Sequence, residues 1–506
     1  MTFKNEEQPQ IGLVELPDAG LLAPDGTNWS TLRRRVSLIS KQILMANLQA
    51  SGFNTQLVHL KDGDYQEEFG KAIWRNLQFK KVYRGQKIEM VNPSAYDAWG
   101  ITSNFSQHRE VACMVIKHLA REGKPVIVGG SDAFAEPKPY IQAGARAVIL
   151  DKSGAVNASV LDHVLKKKPR GKLTKVIFSN GDQPKGWLPL LRPEEWALPS
   201  INVAKQCLGY EYWREPFPQE MKPIGSVFSD IGCDRQCDFC QTPNYHLGYS
   251  GMFPKRTLQW VANQKEAGAR SIIFSSDQFL GRLLWPNGRD DVIEIMKGVR
   301  EIGLPALWPN GIELRKATVS RGFNKKDSDL TPDDELIEAV WGWDGKVGSF
   351  HAFIPAERPI VGRESYAKLL PWQEHRALLK AIVRSGIPAI TYGIIIGLPE
   401  DDEVALKRLE EAISELYQEL ITINPQLHFK VAPYSIFPIQ GTPQMENLRK
   451  LGLLRFEDPL LAGLTIAVCD TLYMSYEEVS DWQIRLAKIG PSEHKLLSAT
   501  PGFTGY

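Results

Sequence analysis

Cys233, Cys237 and Cys240 place three thiols within eight residues, in a stretch (231–248) that runs IGCDRQCDFCQTPNYHLG. Thiolates are soft ligands, and three on one short loop suit a metal ion or an iron–sulfur cluster. Spacings of four and three residues let the backbone wrap one centre with each sulfur turned inward. A structural zinc ion takes four ligands in a closed tetrahedron, and the nearby fourth candidate is His246, beyond Pro243. A 4Fe-4S cluster usually takes four cysteines, so a loop offering three leaves one iron free for an outside ligand. Cysteines that hold nothing are the remaining alternative, but a solvent-facing thiol triplet would be reactive without benefit. The open cluster is the reading that makes use of the count of three.

The order Cys-x-x-x-Cys-x-aromatic-Cys, with Phe239 at the aromatic position, resembles the signature of the radical S-adenosylmethionine (SAM) enzymes. The resemblance implies that SAM chelates the free iron through its amino and carboxylate groups and that Phe239 lies beside the adenine. It implies reductive cleavage of SAM to a 5'-deoxyadenosyl radical, with a reductant such as flavodoxin or ferredoxin. The cluster then supplies the electron, and the protein supplies orientation and exclusion of water. Core packing is the plainer role for Phe239, and both can hold.

A loop of this kind needs a rigid frame, and the chain supplies two blocks of alternating strand and helix. From Gln10 to about Leu165, IGLVEL, STLRRRVSLISKQILMANLQASG and NTQLVHL give strand, helix and strand. AWGITSNF, HREVACMVIKHLAREG, PVIVGG and ARAVIL repeat the cycle. Such alternation predicts a parallel sheet covered on both faces, with ligands at the carboxyl ends of its strands. That edge carries Pro17, Asp18, Ser103, Asn104, Phe105, Ser106, Gly129, Gly130, Ser131 and Asp132. Standing before a radical SAM loop, this block looks like the cobalamin-binding domain of cobalamin-dependent radical SAM enzymes. VIVGGSDAF resembles their Gly-Gly loop, and GARAVILDKSG takes the place of the next strand, although its Asp-Lys-Ser-Gly turn departs from the usual acidic-glycine one. No histidine stands in an Asp-x-His-x-x-Gly context, so histidine ligation of cobalt is not expected. A flavodoxin-like domain without this ligand is the alternative, since fold analogy alone is weak ground for a cofactor.

The second block runs from Pro223 to about Met445. Its strands are IGSVFSD, ARSIIFSSDQF, ALWPNGIEL, GSFHAFIP, AITYGIIIGLPE and HFKVAPYSIFP, with helices between, one expected to start at the Thr331 cap and Pro332. Six units fit the partial (β/α)6 TIM barrel that the resemblance implies, with chemistry at the carboxyl ends of the strands. The same resemblance implies SAM contacts from Asp277 in SSDQF, Glu313 and Arg315 in NGIELR, and Glu357 in IPAERP. It adds Gly393, Ile395 and Gly397 of GIIIGLPE, whose backbone would line the adenine. Gly441-Thr442-Pro443 resembles the turn after the sixth strand. Taken singly, each carboxylate is as readily a helix cap or a surface charge. Their recurrence at successive strand ends favours the joint reading.

At 506 residues, the chain exceeds one ordinary domain. The expected layout is a Rossmann-like, flavodoxin-like cobalamin domain (1–165), a linker (166–222), the partial barrel (223–445) and a helical or lid segment (446–506). A net charge of +1 and the lack of long basic runs beyond residues 166–170 argue against nucleic acid. No apolar run of about 18 residues and no signal-peptide pattern occur, so a cytoplasmic protein without a membrane span is expected. Cys113, Cys207 and Cys469 stand alone and suit small buried side chains. The function implied is C-methylation of an unactivated carbon in a small-molecule or peptide substrate. In that scheme cobalamin takes methyl from one SAM, and the radical from a second SAM activates the substrate, in an enclosure that excludes water. The alternative is a cobalamin-dependent oxidative cyclase or ring-rearranging enzyme.

Overall fold

The computed structural model describes residues 8–29, 35–166, 173–186, 190–212, 217–321, 329–360, 368–461 and 466–491. They fall into two units, the chain up to Asn28 with Leu38–Cys207, and Trp29–Ser37 with Leu208 onward. No helix among the described residues is long and apolar enough to cross a membrane.

The first unit runs β1 (Gln10–Glu15), β2 (Asp18–Leu22), α1 (Ile39–Ala50), β3 (Asn54–His59), β4 (Tyr65–Trp74), β5 (Leu77–Gly85), β6 (Ala98–Thr102) and α2 (Arg109–Leu119). It continues with β7 (Val126–Gly129), α3 (Ser131–Ala135), α4 (Pro137–Gln142), β8 (Ala147–Ile149), α5 (Asn157–Val164), β9 (Val176–Phe178) and α6 (Ile201–Gln206). Six strands form one sheet in the order β3-β1-β6-β7-β8-β9. It is parallel from β3 to β8, with β9 antiparallel at its edge. The first five strands have the flavodoxin-like order, in which the connections reverse direction between β1 and β6 and open a crevice at the carboxyl edge. Short aliphatic runs make this possible: Val14, Val126, Val128 and Val148 are fully buried, as strands covered on both faces must be.

Three features depart from the sequence reading. The helix expected from Ser30 begins at Ile39, because the backbone of Arg35 is engaged elsewhere: its carbonyl accepts from Tyr210 N at 2.8 Å, and its N–H donates to Glu211 Oε2 at 2.7 Å. Residues 30–34 of that helix lie outside the described residues. Residues 166–222, expected as a linker, divide at Cys207. Leu173, Val176, Phe178, Val203 and Cys207 join the core of the first unit, and Ser200 caps α6 by accepting from Val203 N. Residues 61–96, which carried no expectation, supply two strands of a separate antiparallel sheet in the order β2-β5-β4.

The second unit contains β10 (Ile224–Val227), β11 (Asp230–Gly232), β12 (Tyr249–Gly251), α7 (Pro254–Glu266), β13 (Ser271–Phe274), α8 (Gly288–Ile302), β14 (Ala306–Trp308) and α9 (Asp334–Trp341). After them come β15 (Ser349–Glu357), α10 (Trp372–Arg384), β16 (Ala389–Ile396), α11 (Glu403–Ile423), β17 (His428–Ser435), α12 (Pro443–Lys450) and α13 (Tyr476–Leu486). Its main sheet follows sequence order, β10-β13-β14-β15-β16-β17, and every pair is parallel. Amphipathic helices connect successive strands, so the six strand ends gather on one edge. The cap of α9 is Asp333 rather than Thr331: Asp333 accepts from Leu336 N, while Thr331 is held extended by Val319 N at 2.9 Å. In the segment expected to be helical core or a lid, α13 is anchored to the sheet by Gln483 Nε2, which donates to the Pro433 carbonyl at 2.8 Å. Residues 462–465 and 492–506 of that segment lie outside the described residues.

Candidate active site

The cysteine loop leaves the sheet just after β10 and is closed at its neck. β11 and β12 pair antiparallel, with Gly232 opposite Tyr249, and enclose residues 233–248. Gly232 has φ +82°, and a Cβ there would stand 1.7 Å from the Gly248 carbonyl oxygen, so only glycine allows the closure. Beneath the neck lies Asp230, fully buried. It pairs with Arg282 at 2.9 Å and accepts from Ser229 Oγ at 2.5 Å, Ser276 Oγ at 2.8 Å and the Tyr249 hydroxyl. Buried charges are tolerated when so fully paired, and the group fixes both strands of the neck. Asp277 Oδ2 accepts from Gly232 N at 2.8 Å, so it holds the start of the loop.

Inside the loop, Cys233 Sγ accepts from Arg235 N and Cys240 Sγ from Thr242 N, both at 3.4 Å. Hydrogen bonds to sulfur are among the protein's levers on an iron–sulfur centre. Burial pushes the Cys233 thiol up to about 11 and the Cys237 thiol up to about 12. At Cys237, Lys368 is the largest opposing influence, ahead of Glu357, Cys240 and Cys233, which all raise it. Among the described residues, no three His, Cys, Asp or Glu side chains converge as around a single ion. Thiols that each bind a different iron of a cluster have no need to converge so tightly. His246, the fourth ligand a zinc site would recruit, is exposed.

Charged struts tie the loop to its surroundings. Arg235 grips Glu313 with Nη2 at 2.5 Å and Nε at 3.1 and 3.2 Å. Lys316 Nζ reaches Asp234 at 2.8 Å and Glu313 at 3.4 Å. Glu313 is therefore engaged by the loop, and Arg315 is turned to the Leu369 carbonyl at 3.1 Å. On the other side, Gln241 Nε2 and Asn244 Nδ2 donate to the Gln440 and Gly441 carbonyls at 3.1 and 2.7 Å. The Gly-Thr-Pro turn thus staples the loop and opens α12, where Thr442 Oγ1 accepts from Met445 N.

Glu357, at the end of β15, has φ +58°, a conformation that a non-glycine residue keeps only when its surroundings hold it. One carboxylate oxygen pairs with Lys368 at 2.5 Å, and Oε2 is buried without a partner among the described residues. The Lys368 ammonium lies 5.4 Å from the centre of the Phe239 ring. Lys368 was missed in sequence, where an isolated lysine between Ala367 and Leu369 carries no signal. Gly393 of β16 and Gly397 just after it have packing duties: a Cβ at Gly393 would enter the Phe353 ring at 2.1 Å, and one at Gly397 would meet Val479 at 2.9 Å. Ile395 is half-buried between them. Arg358 and Asp401, paired at 2.7 Å, brace the turn that follows, with Asp401 accepting from Leu398 N.

The carboxyl edge of the first unit brings its expected residues together, with internal duties for several. Gly130 has φ +109°, and a Cβ would lie 2.2 Å from the Ser103 carbonyl oxygen, so this glycine admits backbone to backbone. Gly129 has open space where a Cβ would stand. Asp132 is consumed by Arg109, at 2.6 and 2.8 Å, and by the Tyr140 hydroxyl at 2.5 Å, which also bonds Ser103. Asn104 Oδ1 accepts from Ser131 N at 3.2 Å, and Ser131 Oγ accepts from Lys152. Asp18 is the first residue of β2 and pairs with Lys61 at 2.8 Å. Pro17 precedes it, Phe105 is exposed, and Asp18 Oδ2 and Ser106 Oγ are buried without partners among the described residues. Open space at Gly129 and two orphaned polar atoms are what an edge suited to a polar ligand would show.

No family model matches the sequence, and no curated protein matches it. The structure, however, resembles solved enzymes. It aligns with the cobalamin-dependent S-adenosylmethionine radical enzyme OxsB, bound to aqua-cobalamin and SAM, at a TM-score of 0.64 and 14% identity, over 94% of this chain and 66% of that one. It also aligns with the radical SAM methyltransferase TsrM from Kitasatospora setae, with cobalamin and a [4Fe-4S] cluster bound, at a TM-score of 0.57 and 11% identity, over 88% of this chain and 75% of that one. A TsrM complex with tryptophan substrate and a SAM analogue gives 0.55 and 10%. This chain shares their fold. It spans 66% of the length of the OxsB chain.

Proposed function

We propose that the chain is a cobalamin-dependent radical SAM enzyme. Its second unit would hold a 4Fe-4S cluster on Cys233, Cys237 and Cys240 with SAM beside it. Its first unit would hold cobalamin over the edge that includes Gly129, Ser106 and Asp18. The observation that carries this reading is the coincidence of two things: a pinned three-cysteine loop at the strand ends of a sequential parallel sheet, and a fold aligned with OxsB over 94% of the chain. When bound, these groups supply radical and one-carbon chemistry.

The chain's own residues do the positioning. Burial raises the Cys233 and Cys237 thiols, and taking up iron would expel their protons. Glu357 Oε2, without a partner among the described residues, would accept from the ammonium of SAM, and Phe239 would pack beside the adenine. Gly393, Ile395 and Gly397 present backbone to that ring. Asp277 and Glu313 support the loop rather than the ligand.

The reaction we assign is C-methylation of an unactivated carbon in a small-molecule or peptide substrate, with a flavodoxin or ferredoxin as reductant. TsrM, a methyltransferase, has this fold. The alternative is a cobalamin-dependent oxidative cyclase or ring-rearranging enzyme that moves no methyl; it draws on the higher TM-score to OxsB, a cobalamin-dependent radical enzyme. Replacing the three cysteines with Ala is expected to abolish iron uptake and 5'-deoxyadenosine formation. Stoichiometric zinc in place of iron and sulfide after anaerobic reconstitution would sink the reading. Titration with hydroxocobalamin, followed in the visible spectrum, tests the first unit. With a substrate in hand, SAM carrying a deuterated methyl separates the two reactions, since only methylation labels the product.

A further inference from the structure

We propose that Lys368 sets the reduction potential of the centre held by the cysteine loop. This rests on the reading of that loop as a cluster site. Lys368 is clamped rather than free: its side chain is 15% exposed, it pairs with Glu357 at 2.5 Å, and its ammonium stands 5.4 Å from the centre of the ring of Phe239. Phe239 belongs to the cysteine loop, and the same ammonium acts on the Cys237 thiol, so the charge is fixed against the loop that carries the three sulfurs. The left-handed backbone of Glu357, at φ +58°, shows that the pair is built into the site.

The electrostatics have a definite sign. Three thiolates and four sulfides outweigh the iron charge of an oxidised 4Fe-4S cluster, and an added electron makes the centre more negative still. Burial, net charge and nearby groups set such potentials. In a poorly solvated site a fixed ammonium favours the more negative, reduced state, and a fixed carboxylate opposes it. Lys368 and Glu357 therefore act in opposite directions on one equilibrium, with Lys368 the larger influence of the two on Cys237.

The test uses the full chain, reconstituted anaerobically with iron and sulfide and titrated with dithionite and mediators while EPR reads the reduced cluster. Lys368→Met is expected to shift the one-electron equilibrium about tenfold toward the oxidised state, or about 59 mV downward. Lys368→Arg should restore most of that shift, and Glu357→Gln should move the potential upward. Unchanged potentials, or shifts of the same sign in Lys368→Met and Glu357→Gln, would overturn the proposal, since a merely structural pair has no reason to give opposite signs. If Lys368→Met takes up no cluster, the upward shift in Glu357→Gln remains decisive. A wild-type chain without iron and sulfide is a separate outcome, read by analysis before any titration, and it overturns the parent reading as well.

Discussion

Truncating Glu313 to alanine should open the cysteine loop. Its carboxylate, with the side chain 2% exposed, receives three contacts from Arg235 at 2.5 to 3.2 Å and one from Lys316 at 3.4 Å. Glu313 and Asp234 together balance Arg235 and Lys316, so the truncation leaves one cation uncompensated. Removing one partner of a buried pair costs about 3–5 kcal/mol. Arg235 keeps 16% exposure and a second carboxylate, Asp234, at 3.6 Å, which places the cost at the lower end, ~3 kcal/mol. That is within the roughly 5–15 kcal/mol of a folded domain, so the unit stays folded while the closed loop loses ~100-fold in population. Thermal unfolding should fall by about 5 °C, from roughly 1.5 °C per kcal/mol in a unit of this size, and iron uptake after anaerobic reconstitution should drop with it. Arg235→Met should cost about as much, and the double variant little more than either single one, since both remove the same contact. Normal melting and full iron content with only SAM affinity reduced would refute the strut and return Glu313 to the role of a SAM ligand.

Gly232→Ala should prevent closure of the neck, because the new methyl would stand 1.7 Å from the Gly248 oxygen; loss of iron uptake with near-normal far-UV circular dichroism is the expected result. Gly130→Ala should destabilise the first unit by pushing its backbone off Ser103, read as a lowered melting temperature, whereas Gly129→Ala, which meets open space, should leave melting intact and weaken cobalamin binding alone. His375 is buried and hydrogen-bonded to Tyr392 at 2.7 Å, and burial pushes it down to about 3. The unfolded chain therefore binds the extra proton first, and stability should be full above its ordinary value near 6.5 and decline as pH falls from there toward 3. His375→Phe should flatten that acid limb in melts taken across the same range, and an unaltered limb would show that His375 is not its source.

Sequence alone determined most of the architecture and the chemistry of one loop. Alternating aliphatic and amphipathic runs predict nearly every strand and helix of the two sheets, because burial on both faces leaves a parallel strand few residue choices. Cys233, Cys237 and Cys240 are legible because their ligand chemistry lies in the spacing itself. The strands of residues 61–96 went unread although YQEEFGKAIW and LQFKKVYRG flank a turn at Arg75, whose φ is +52°. The assignment of carboxylates to partners could only come from tertiary structure. Asp277, Glu313 and Glu357 look alike at successive strand ends, yet two of them bind the loop and one keeps an oxygen with no partner among the described residues. Lys368 joins the site from 128 residues beyond Cys240, a separation at which spacing carries no information. Contacts of that range are decided by how strands stack in a sheet and where each connection returns. A charge's partner is whichever group the fold leaves beside it once water has gone.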